Sequence, residues 1–130
     1  MIRTLGAALL LLAAAPVAPA KTAAVTLSFL EPAGRIKIGE QKLELNLDGK
    51  AQETALTVGG SVEGFTVKTV SRDVKVNGET PGLWVELTIV GKNGAEAGYL
   101  AVTFPDAPGS SAATKFKGAK GAPIAAVLTR

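Results

Sequence analysis

The chain has 130 residues, a formal net charge of +3, and neither histidine nor cysteine. That inventory excludes a histidine-based triad or general base, thiol catalysis and thiolate zinc. The near-balanced charge also lacks the dense basic face that nucleic-acid binding requires, so the sequence points to no nucleic-acid partner.

The first 20 residues read as a secretory leader. Arg3 gives a positive start, Leu5–Ala15 forms one apolar run (LGAALLLLAAA), and Ala18-Pro19-Ala20 is a small-residue cleavage site. The run is shorter than the about 20 residues needed to span a bilayer. The expectation is export to a bacterial periplasm or the cell exterior, with residues 21–130 as one domain and no transmembrane segment in the mature chain.

Beyond the leader the pattern is period 2, as in half-buried strands. Val25, Leu27 and Phe29 share a face, and Pro32-Ala33-Gly34 breaks the run. Ile36 and Ile38 alternate with charges, and so do Leu43, Leu45 and Leu47. Asp48-Gly49 is a type I′ hairpin signal, because both positions tolerate positive φ. Ala55–Val58 reads as a short strand. Phe65–Val76 is the longest candidate, but its apolar parity flips at Thr69-Val70, which predicts a bulge or a break near Ser71–Asp73. Asn77-Gly78 and Pro81-Gly82 signal turns, Leu83–Val90 is the clearest strand, and Gly91–Gly94 is a turn. Tyr99–Phe104 follows. Residues 105–123 read as a flexible loop and 124–130 as the last strand. No amphipathic helix appears. The predicted fold is all-β: an antiparallel sandwich or small barrel of about seven or eight short strands, after the cleaved leader.

Residues 59–66, GGSVEGFT, nearly match the phosphate-binding pattern G-x-x-x-x-G-K-[ST]. Phe65 replaces the lysine, Glu63 adds a repelling charge, and the following FTVKTV has strand rather than helix periodicity. The stretch therefore reads as a turn feeding a strand. No Ser–Lys pair at S-x-x-K spacing and no G-x-S-x-G elbow is present. The acids sit mostly at solvent-facing positions and in turns. The chain is read as no enzyme, with no cofactor and no metal.

Five residues stand out for contact with a partner or ligand. Trp84 alternates out of phase with the apolar face of its strand. It is an exposed anchor or, on the blander reading, a ring buried on the second face. With Tyr99 it would form a platform for a sugar or small ligand. Lys115, Phe116 and Lys117 open the basic segment that runs to Lys120. This segment reads first as a solvated loop and, functionally, as a contact for an anionic surface.

One segment, 56–87, has a family echo. Val58-Gly59, Gly64, Val67, Val70, Asp73, Val74, Val76, Gly78 and Leu87 resemble the pattern of the periplasmic homology-region domain. That domain occurs in type II secretion clamp proteins and type IV pilus inner-membrane assembly proteins. The resemblance implies a small β-domain that binds another envelope-assembly protein. Gly60 stands where the pattern has aspartate, and the membrane helix or lipid cysteine of those families has no counterpart here. The first expectation is thus a non-enzymatic envelope module that binds another protein, with strand addition at a sheet edge as one mode. The alternative is a ligand- or glycan-binding domain using Trp84 and Tyr99.

Overall fold

The computed structural model describes residues 21–31 and 36–130. The leader at 1–20 and the break at Pro32-Ala33-Gly34 lie outside the described residues. The rest forms eight strands: β1 (Thr22–Glu31), β2 (Ile36–Asn46), β3 (Gln52–Ala55), β4 (Thr66–Val76), β5 (Thr80–Val90), β6 (Glu96–Pro105), β7 (Ser111–Lys117) and β8 (Pro123–Thr129). They build two four-stranded sheets, ordered β2-β1-β8-β7 and β3-β4-β5-β6, with every pairing antiparallel. This is a β-sandwich.

The strand order has a simple logic. Each strand lies next to its neighbours in sequence, and β8 pairs with β1. The molecule is an up-and-down ring of strands interrupted at two seams, between β2 and β3 and between β6 and β7. A ring of this kind would abolish sheet edges if it closed fully. Here the two seams leave four edge strands.

The core follows from strand alternation, because successive side chains point to opposite faces. Val25, Leu27 and Phe29 of β1 meet Leu83, Val85, Leu87 and Ile89 of β5, all at 2% exposure or less. Leu43, Leu45, Ile124, Ala126, Leu128, Phe104 and Phe116 complete the cluster. Phe116 packs edge-on against Phe29, with ring centroids 6.1 Å apart, and at 6.1 Å against Phe65. Such aromatic pairs add to simple area burial.

Four local expectations change. First, residues 105–123 are not one loop, since they contain β7, which pairs with β8 over its whole length. Alanines at 112 and 113 weaken the apolar alternation there, and partner pairing supplies what local pattern lacks. Second, Asp48-Gly49 is not a hairpin. Gly49 has φ 73° but Asp48 is not in the left-handed region, and the pair forms the corner where the chain leaves the first sheet for the second. The corner is fixed by Gly49 N–H donating to the Ser71 carbonyl at 2.9 Å and Lys50 N–H donating to Asp48 Oδ1 at 3.0 Å.

Third, β4 is neither bulged nor broken; its register with β5 is continuous from Thr66 to Val76. The inner face simply turns polar, with Thr69 and Ser71 buried where apolar residues would be expected. Val74 and Val76 lie on the outer face over Gly82, where a Cβ would sit 2.6 Å from Val76 Cγ2. Fourth, the short strand predicted at Ala55–Val58 starts earlier, at Gln52, and Leu56 and Val58 are buried beyond its end. The turn between β4 and β5 does have φ 55° at Asn77 and φ 82° at Gly78, as an Asn-Gly hairpin turn requires.

Candidate functional site

The two seams are closed differently. Between β2 and β3, two glutamine side chains take the place of a backbone ladder. Gln52 accepts from Asn46 N–H at 2.9 Å and donates to the Glu44 carbonyl at 2.7 Å. Gln41 donates to the Ala55 carbonyl at 3.1 Å and accepts from Thr57 N–H at 2.8 Å. A primary amide has both donor and acceptor, so it can satisfy one N–H and one C=O of a facing strand at once.

Between β6 and β7 no ladder forms, and the two edges lie side by side. They approach closely at Gly98, where a Cβ would be 3.0 Å from Phe116 Cβ. Farther along, Leu100 and Val102 of β6 and Ala112 of β7 are only partly buried against the core. At one end the crossover from β6 to β7 is clamped by Arg130. Its guanidinium lies 3.4 Å from Asp106 Oδ1 and donates to the Pro105 carbonyl at 3.3 Å.

At the other end the side opens into a cleft of about 400 Å³. Phe65, Lys92, Glu96, Ala97, Lys117 and Gly118 are among its lining residues. Lys92 reaches it by running its stem across Gly64, at φ 80°, where a Cβ would collide with Lys92 Cε. The glycine-rich GGSVEGFT therefore works as a packing turn. Gly60–Val62 forms a single 3₁₀ turn, Phe65 enters the core, and the Ser61 carbonyl accepts Ala119 N–H at 2.8 Å. No helix follows it; Thr66 begins β4.

The five singled-out residues divide clearly. Lys115 and Lys117 are exposed on the outer face of β7, and Lys117 also lines the cleft. Phe116, between them, is 4% exposed and belongs to the core, so its reading as a contact residue is corrected: β7 is a strand, and alternation turns it inward. Tyr99 is 47% exposed on β6. Its hydroxyl donates to Glu86 Oε2 at 2.7 Å. That bond to Glu86, with some desolvation and the charges of Glu86 and Glu96, raises the phenol above its ordinary value of 10.0. Trp84 is half-buried on the outer face of β5, and the Arg72 guanidinium lies 4.6 Å over its ring. Cross-strand pairing sets this contact, since Arg72 is directly opposite Trp84.

Trp84 and Tyr99 share the outer face of the second sheet without forming a joint platform. Tyr99 is opposite Thr88, four residues along β5 from Trp84, which is about 13 Å at the rise of a strand. Neither ring lines the cleft beside β6 and β7 or the second cleft, of about 420 Å³, between Lys21 and Pro81. Among the described residues no group of three or more acids converges as a metal site. No helix among them is long and apolar enough to cross a membrane.

No family model, curated protein or solved structure matches this chain.

Nothing in the sequence marked Leu100 and Val102 as only partly buried. Their alternation with Phe104 marks them correctly as inward-facing, but strand order alone makes β6 an edge. Gln41 and Gln52 carried no signal either, because a glutamine on a polar strand face looks like ordinary solvent contact.

Proposed function

We propose that the chain is an exported, non-enzymatic interaction module of the cell envelope, and that it binds an extended segment of another protein along the β6/β7 side. One observation carries this reading: β6 and β7 end their sheets side by side without a backbone ladder, and Leu100, Val102 and Ala112 along that side stay only partly buried. An unpaired strand edge offers main-chain donors and acceptors to an incoming strand, and alternate side-chain sites give selectivity. Strand edges are a liability that folds usually cover; the Gln41 and Gln52 amides cover those of β2 and β3.

The ligand-platform reading has less support. Arg72 occupies the Trp84 face, Glu86 engages the Tyr99 hydroxyl, and neither ring lines either of the two clefts. Small-ligand sites are characteristically concave.

The test is capture of an envelope partner by the purified chain, compared with Leu100→Arg and with Ile36→Arg. Ile36 is 59% exposed at the start of β2, beside the other seam. Loss of capture in Leu100→Arg, retention in Ile36→Arg and an unchanged circular dichroism spectrum in both support the reading. Equal capture by all three contradicts it.

A further inference from the structure

We propose that Asn77 is a site of spontaneous deamidation, where the Gly78 nitrogen and then water convert the side-chain amide into aspartate or isoaspartate. The backbone nitrogen of the next residue loses its proton and attacks the asparagine Cγ. A bond forms between that nitrogen and Cγ, the Cγ–Nδ2 bond breaks, and ammonia leaves after taking up a proton. The product is a cyclic imide. Water then adds at either imide carbonyl and reopens the ring, giving aspartate from one and isoaspartate from the other. A following glycine favours the attack, because it has no side chain to block the approach.

The sequence offers three pairs of this type: Asp48-Gly49, Asn77-Gly78 and Asn93-Gly94. Exposure does not separate the two asparagines, since Asn77, Gly78, Asn93 and Gly94 all stand in solvent. Hydrogen bonding does. Asn93 Oδ1 accepts Ala95 N–H at 3.1 Å, and Gly94 N–H donates to the Gly91 carbonyl at 3.0 Å. Asp48 is held in the same way. Its Oδ1 accepts Lys50 N–H at 3.0 Å, and Gly49 N–H donates to the Ser71 carbonyl at 2.9 Å. In both pairs the reacting carbon and the reacting nitrogen are tied down. These bonds have no counterpart at Asn77, where neither the side chain nor Gly78 N–H is engaged among the described residues.

The turn around Asn77 also gives way easily. The bond that closes it, from Glu79 N–H to the Val76 carbonyl, is 3.3 Å long, beyond the common range for such bonds. Asn77 itself sits at φ 55°, in a region that residues other than glycine seldom adopt. The two products then act differently on the hairpin. Aspartate keeps the turn, because Asp-Gly suits the same geometry. It adds a negative charge at the tip of a hairpin whose Lys75, Glu79 and Pro81 line the cleft of about 420 Å³. Isoaspartate runs the main chain through Cγ. The added backbone carbon breaks the fit between the turn and the Val76–Thr80 pair that it joins.

The experiment holds the purified chain at mildly alkaline pH, folded and in denaturant, and follows each Asn-Gly pair by peptide mapping with mass spectrometry. In the folded chain, conversion at Asn77 should outpace conversion at Asn93 by about tenfold, as expected where two net hydrogen bonds must first break. In denaturant the two should convert at similar rates, because the difference lies in the fold. Equal rates in the folded chain, faster conversion at Asn93, or the same preference persisting in denaturant would overturn the assignment. The isoaspartate fraction should exchange its Glu79 amide hydrogen faster than Asn77→Asp does; identical exchange would overturn the effect assigned to the added carbon.

Discussion

Phe116 and its two neighbours occupy opposite environments one residue apart. Lys115 and Lys117 stand in solvent, and Phe116 touches both Phe29 and Phe65 at the centre of the aromatic cluster. Removing that ring leaves a cavity between the sheets. Phe116→Ala is therefore expected to cost about 3–5 kcal/mol, and Lys115→Ala to stay within about 0.5 kcal/mol. Denaturant unfolding measures both; equal effects would mean that β7 does not alternate as described. From the sequence, K-F-K in a stretch of small residues gives no sign of which side is buried. Only the neighbouring strand decides it. Ser71 is the reverse case. Its Oγ is buried without a hydrogen-bond partner, and with Thr69 it makes the inner face of β4 polar, which accounts for the apparent parity flip.

At the scale of elements, the strands that could be read were those whose alternation is set by large side chains. β5 is the clearest: Leu83, Val85, Leu87 and Ile89 predict both the strand and its buried face, and the fold has them all in the core. β1 and the second half of β2 are equally legible. β7 was hidden because alanine and threonine mark no face, and β3 because its four residues, QETA, contain no large apolar side chain. The Asp48-Gly49 corner misled for another reason. The dipeptide favours a sharp turn, but whether a turn joins two paired strands or sends the chain to another sheet depends on long-range pairing. The glutamine stitches belong here too. Gln52→Ala would remove the two bonds that Gln52 makes across the β2/β3 seam, at about 0.5–1.5 kcal/mol for each net hydrogen bond. Amide hydrogen exchange at Asn46 should accelerate in that variant, since its N–H loses Gln52 Oε1. Unchanged exchange there would show that the seam does not depend on the side chain.

For the whole molecule, the candidate site is a product of topology more than of motif. Tyr99, Leu100 and Val102 on one strand and Lys115 and Lys117 on another are brought to one side because β6 and β7 end their respective sheets. Composition excluded histidine- and cysteine-based chemistry at the outset, but nothing local revealed which strands would be edges. The unladdered β6/β7 side, with its partly buried Leu100, Val102 and Ala112, carries the functional reading. Its most direct test is backbone amide hydrogen exchange of the chain, alone and with its captured partner. The expected result is slowed exchange confined to β6 and β7, with the β2/β3 seam and the Trp84 face unchanged. Protection centred on Trp84 and Arg72, or on β2 and β3, with β7 unaffected, would contradict the account.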